Sequence, residues 1–191
     1  MSYNMLLFFK HYIYHTMPII KNKTLISTTK LFEISRLDIE FPNNVNMQYE
    51  VIGGSGNGAV MVIPVSNTSM FFVMEYAAAI DSYALTFPKG KIDNGEGILE
   101  AANRELQEEI GYKSSSLEHV HTIDLAPGYI DHKTHIVLAK NLSSSKLPGD
   151  EPEELEIIEI PLGKINEKIK KYKYIDSRVL ASLYIYGNLV S

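Results

Sequence analysis

Between Gly90 and Tyr112 the chain places Glu105, Glu108 and Glu109 within just over one helical turn, immediately after Arg104. Ile98, Leu99, Ala102, Leu106 and Ile110 recur at helical spacing, and Gly111 stands where a helix would stop. The segment therefore predicts an amphipathic helix ending at Gly111. Residues three and four apart share a helix face, so these carboxylates repel one another and weaken an isolated helix. A hard divalent cation removes the conflict, because Mg2+ takes carboxylate oxygens and shares its shell with water and substrate phosphates. A solvated acidic face is the usual meaning of a charge run. Here it explains neither Gly90, nor Gly111, nor the position of Arg104. The expectation is a metal–phosphate site built on a helix.

The 191 residues suit one domain with a substantial core, at an ordinary globular composition of 45% hydrophobic and 21% charged. Net charge is −5 and no long basic stripe is visible, so no nucleic-acid partner is expected. The absence of cysteine excludes disulfides, thiolate metal sites and a thiol nucleophile, and is compatible with a cytoplasmic protein. Met5 to Phe9 is apolar, but Lys10 and His11 end the run too early for a membrane span. It also lacks a clear small-residue cleavage site. No membrane partner is expected. Residues 1–16 are expected to be a peripheral extension, with Met17 a sensible alternative start.

Residues 30–41 alternate apolar and polar side chains, as a half-buried strand does, and a turn at Pro42-Asn43-Asn44 leads to a returning strand over 46–51. Residues 59–65 and 70–76 read as buried strands joined by a turn at 66–68. Residues 117–125, 134–139 and 155–160 read as further strands. A polar loop spans 143–154, and helices are expected over 164–171 and 176–186, the second capped by Asp176 or Ser177. Strands around an early helix, with helices at the end, predict a mixed α+β or layered α/β domain. Residues 17–58 are expected as a β-rich subdomain and 59–191 as the catalytic domain.

Gly90, Glu96, Arg104-Glu105-Leu106, Glu108-Glu109 and Gly111 stand at the spacing of the Nudix box, with Tyr112 in place of the usual aliphatic residue. The chain thus resembles the Nudix hydrolases, which implies their α/β/α sandwich. Leu31-Phe32, Phe41 to Asn44, Ala59 to Pro64, Glu75-Tyr76-Ala77, Ala101 to Leu106 and Gly149 to Glu153 extend the likeness. They point to the branch that cleaves ADP-ribose and other ADP compounds. Pro127, 15 residues after Tyr112, is a further pointer to that branch.

The resemblance implies hydrolysis of a pyrophosphate bond in an ADP-containing small molecule. ADP-ribose leads, with diadenosine oligophosphates and NADH also implied, and AMP is released. Glu105, Glu108 and Glu109 are the expected ligands of Mg2+ or Mn2+, with the Lys89 carbonyl completing the shell. Catalytic roles are expected for Glu108, for Arg104 in orienting the glutamates, and for the loop carboxylate Glu151 as general base, with Glu153 next. Glu96 either orients Arg104 or caps the helix. Tyr83, Phe87 and Tyr129 are candidates to stack on adenine; His121, His132 and His135 are left out as structural or solvated. Met74, Ala84 and Thr86 stand where relatives often carry charge, which puts substrate contacts there in doubt. The branch implies a homodimer paired through N-terminal strands, which would protect a sheet edge. The alternatives are a nucleotide-sugar or RNA 5′-end pyrophosphohydrolase, and a sensor that binds ADP-ribose without cleaving it.

Overall fold

A computed structural model describes residues 17–190 except 54, 55 and 150; the expectations for residues 1–16 lie outside the described residues. The chain divides into two compact units. The described residues up to 53, with 126–132, make the first; 56–125, with 133 onward, make the second.

The first unit is a sheet in the order β1 (Ile19–Thr28), β2 (Glu33–Glu40), β3 (Asn46–Gly53) and β9 (Ile130–Asp131). The alternation over 30–41 becomes β2, which pairs with β3 in antiparallel register from Glu33 opposite Gly53 to Glu40 opposite Asn46. Asn44, at φ 63°, makes the turn between them, a backbone region that asparagine tolerates. The sequence reading left β1 unassigned. It pairs with β2 through two register shifts and is exposed at nearly every position, so no two-residue period marks it.

The second unit is built around β4 (Ala59–Pro64). β4 runs parallel to β10 (Lys133–Ser144) and antiparallel to β7 (Lys89–Lys91), and β8 (Tyr112–Asp124) pairs with the far side of β10. A second sheet places β5 (Ser69–Ala77) between β11 (Glu156–Pro161) and β6 (Ser82–Thr86). Every residue of β4 is buried, because the strand is covered on both faces. Val60 and Val62 pack towards Ala101, Ala102, Leu106 and Ile110 of the helical segment that opens with α1 (Ile98–Glu105). Met61 and Ile63 pack towards Ile165 of α2 (Ile165–Lys168) and Val179 of α3 (Ser177–Val190). Helices on both sides of the sheets make the expected α/β/α sandwich.

Boundaries differ from the sequence reading where tertiary partners supply the hydrogen bonds. β8 starts at Tyr112 rather than 117, because pairing with β10 carries through the polar run Lys113 to Ser116. The expected helix over 164–171 is only four residues of α-helix between two short 3-10 turns. The short strands β6 and β7, on either side of Phe87-Pro88, were not foreseen. Asp176 is the cap of α3: its Oδ1 accepts the Arg178 N–H at 2.9 Å.

Candidate active site

Residues 98–110 do not form one regular helix. After α1 the backbone widens into a π turn over Leu106–Ile110, and Gly111 ends it at φ 73°. The side-chain amide of Gln107 donates to the carbonyl of Asn103 at 2.9 Å, the group that a regular helix pairs with the Gln107 N–H. π turns of this kind recur at functional sites. The segment turns Glu105 and Glu109 inward, at 7% and 5% exposure, and leaves Glu108 half-buried. Tyr112, in the aliphatic position, lays its half-buried ring against Phe71 at 5.5 Å.

Arg104 binds this segment to the preceding loop. Its Nε and Nη2 donate to the two oxygens of Glu96 at 2.9 and 3.0 Å. Nη2 also donates to the Lys91 carbonyl at 2.9 Å, and Nη1 donates to Glu105 at 2.6 Å and Glu108 at 2.9 Å. Of the two roles weighed for Glu96, the geometry shows the Arg104 partner; the helix N-terminus is served by Glu100, which accepts the Gly97 N–H at 2.9 Å. The Arg104 hydrogen bonds hold the Glu96 carboxyl below its ordinary range, although burial opposes them. The guanidinium is raised in turn, first by Glu96. Part of the expected repulsion among the carboxylates is thus relieved by Arg104.

Glu109 has no such partner. One oxygen is 3.4 Å from the Lys89 N–H, and the other is buried with no hydrogen-bond partner. Burial pushes its pKa up to about 8; Lys89 pulls it down, and Glu105 and Glu75 push it further up. A buried oxygen left unsatisfied is costly. A cation beside Glu109 and Glu105 would satisfy it, so the residues present fit a divalent metal. Among the described residues no three carboxylate or imidazole groups yet converge as a metal cage. Arg104 draws Glu105 and Glu108 towards itself.

Gly90 has a specific steric reason. A Cβ there would fall far inside van der Waals contact of the Glu105 carboxylate, so glycine lets β7 pass this close without displacing that carboxylate. The acidic loop is tied to the same helix. The Ser145 and Leu147 N–H groups donate to the carbonyls of Gly111 and Gln107, at 2.8 and 3.1 Å. The Lys146 ammonium donates to the Glu108 carbonyl at 2.7 Å, and Gly149 lies against Glu108. Glu151 follows two residues later and is exposed. Glu153 accepts the Tyr83 hydroxyl at 2.7 Å.

Phe87 is corrected as an adenine-stacking candidate: it is fully buried, stacked at 4.5 Å on Phe72 in the core. Tyr83 is half exposed, and Tyr129 lies in the first unit. His135 shares the Thr122 hydroxyl with His119, and burial lowers its pKa. The sequence reading missed the side chain of Lys89, which pairs with Glu75, and the Arg178–Asp176 pair at 2.6 Å. The first has no local signature, because Glu75 and Lys89 meet only when β5 and β7 are assembled; the second joins residues two apart at the cap of α3, so its signal is local.

Two outcomes follow from this geometry. In Gly90→Ala the Glu105 carboxylate, at the end of a flexible side chain, is pushed aside from its place against Arg104. Divalent-metal affinity in a calorimetric titration is expected to fall about tenfold or more, while stability drops by no more than about 1–3 kcal/mol. Glu109 gives a pH effect of definite sign. Its ordinary pKa is 4.5 and its folded value about 8, so between them the folded state holds a proton that the unfolded state has released. The Glu109 contribution to stability is therefore lost as pH rises from about 4.5 to about 8 in metal-free buffer. Thermal unfolding in chelator should show Glu109→Gln gaining on the parent protein across that window.

Comparison with known proteins gives the family. Residues 57–183 match the NUDIX domain family. The chain is 35% identical to the ADP compounds hydrolase of Escherichia coli over 168 residues, 88% of this chain and 90% of that protein. It is 27% identical to the ADP-ribose pyrophosphatase of Bacillus subtilis, over 82% of this chain and 85% of the relative. A crystal structure of an ADP compounds hydrolase superposes with a TM-score of 0.83 at 33% identity, covering 92% of this chain and 95% of that one. The chain belongs to the Nudix family.

Proposed function

We propose that this Nudix enzyme hydrolyses the pyrophosphate bond of ADP-containing compounds, ADP-ribose first among them, with Mg2+ as its metal. The observation that carries the reading is the buried, unpartnered Glu109 oxygen near Glu105, inside a box whose glycine, glutamate and arginine positions are all filled. Glu105, Glu108 and Glu109 would hold the metal, with the Lys89 carbonyl as a further ligand. A divalent cation held there supplies positive charge that draws electrons from the phosphoryl oxygens.

The chain's own groups do the rest. Arg104 keeps Glu105 and Glu108 in place through the bonds described above. Glu151 takes a proton from the attacking water, and the anchoring of residues 145–149 on the box helix supports that role. The water oxygen bonds to one phosphorus, the bridging P–O bond breaks, and the bridging oxygen leaves with the second phosphate. From ADP-ribose the products are AMP and ribose 5-phosphate. The reading keeps the expected cytoplasmic location, with which a cysteine-free chain is compatible. Among the described residues no helix is long and apolar enough to cross a membrane.

The purified protein, given Mg2+ and ADP-ribose, NADH, diadenosine triphosphate, UDP-glucose and capped RNA in parallel, should release AMP from the ADP compounds. Glu109→Gln should lower that rate by about a hundredfold or more. Tight ADP-ribose binding without turnover would replace the reading by a sensor. Cleavage of UDP-glucose or RNA alone would move the chain to another branch.

The proposal includes a homodimer formed through the first unit. Ile19, Ile20, Leu25 and Ile26 are all exposed along β1, an edge strand with apolar side chains on both faces. Such an edge is an aggregation hazard unless covered. Light scattering should report a dimer for the parent chain and a monomer for Ile26→Glu. A monomeric parent would sink this part of the proposal.

A further inference from the structure

On the β8–β10 ladder of the second unit, two imidazoles and a hydroxyl come together outside the box. Thr122 stands opposite His135 in the antiparallel register. His119 lies three residues before Thr122, and side chains three apart on a regular strand point to opposite faces. A bulge removes that separation. Ile136 pairs with His121 and Val137 with His119, which leaves Val120 as the extra residue. The added residue returns His119 to the face of Thr122 and His135, and bulges re-aim side chains in this way.

The three groups are in contact. Nε2 of His119 is 3.0 Å from the Thr122 hydroxyl oxygen, and Nδ1 of His135 is 2.9 Å from the same atom. Burial lowers the His135 pKa, the Asn57 backbone opposes that by accepting a ring N–H, and the nearby His119 and Lys133 lower it again. With Nδ1 turned to Thr122, the nitrogen that donates to Asn57 is Nε2. Nδ1 of the neutral ring then carries a lone pair and accepts the Thr122 proton. A hydroxyl has only one proton, so the Thr122 oxygen accepts from Nε2 of His119.

This arrangement meets the needs of a cation that prefers imidazole. The ring centroids of His119 and His135 are 5.3 Å apart at an interplanar angle of 68°. Two imidazoles on one tetrahedral ion, with each nitrogen at ~2.0–2.1 Å, bring their centroids to about 5 Å. The rings already stand near chelating separation. A backbone carbonyl on the far nitrogen is the usual support of a metal-binding histidine, and Asn57 supplies one for His135. The neutral ring is the form that ligates, and burial favours it at His135. His119 is exposed, which leaves room for water, and a change of tautomer presents its Nε2 lone pair. Lys133 repels a cation too, but it is exposed and screened by solvent.

We propose that His119 and His135 bind a divalent transition-metal ion of the imidazole-preferring class, such as Zn2+, Ni2+ or Cu2+, through Nε2 and Nδ1, with water completing the shell. The site is separate from the carboxylates of the box, whose oxygen ligands suit Mg2+ or Mn2+. It does not rest on the hydrolase reading. An ion held there clips β8 to β10 across the bulge, so it stabilises the folded chain by mass action.

Ni2+ is titrated calorimetrically into the full chain, with excess Mg2+ present to occupy the box. The parent should bind Ni2+ and gain melting temperature with it. His119→Gln and His135→Gln should each weaken that binding by about tenfold or more and remove the thermal gain. His121→Gln should leave both at the parental value, because consecutive residues alternate and Thr122 is the one that faces His135. Nitrogen NMR of the imidazoles tests the same site without substitution. Zn2+ should shift Nε2 of His119 and Nδ1 of His135 and leave the other nitrogen of each ring protonated. A parent that binds no Ni2+, binding that persists in both variants, or Zn2+ shifts confined to other histidines overturns the proposal.

Discussion

One guanidinium holds the candidate active site together. Arg104 reaches forward to Glu105 and Glu108 on its own helix and back to Glu96 and the Lys91 carbonyl on the loop before it. Loop and helix are thereby fixed relative to one another by charge-assisted bonds, the stronger class of protein hydrogen bond. Most of the spacing in the box follows from this reach. Glu96 must precede the helix closely enough to meet Arg104. Gly90 must lack a side chain so that β7 can pass the Glu105 carboxylate without displacing it. Gly111 must take the left-handed turn that ends the π segment.

The price of that arrangement is concentrated on Glu109. Arg104 serves three carboxylates and Glu109 is not among them. Its burial is imposed by packing, since the same segment carries Leu106 and Ile110 into the core against Val60 and Val62. A carboxylate placed there is uncomfortable without a cation, and that discomfort is the physical link between the fold's stability and its metal chemistry.

Much of this was legible before any coordinates. The run Ala59 to Val65 is apolar at every second position on both phases, and β4 is buried on both faces. The box residues lie together on one loop–helix unit, so their sequence spacing is nearly their spatial spacing. Where the reading fell short, the cause is long range. β1 has no period because register shifts break it. Phe87 has the aromatic ring a base could use, but the core claims it through Phe72. The polar run after Tyr112 is strand only because β10 supplies its partners.

The sequence by itself determined the local chemistry: which carboxylates share a helix, which glycines flank them and which arginine stands among them. These depend on neighbours a few residues apart, whose geometry the helix and the turn dictate. Only the tertiary structure decided which of the carboxylates is ion-paired and which is buried with one oxygen unsatisfied. It alone brought Glu75 of β5 to Lys89 of β7, and both to Asp176 and Arg178 at the start of α3, around one cleft. Burial and ion pairing between distant segments are properties of packing, and no spacing along the chain encodes them.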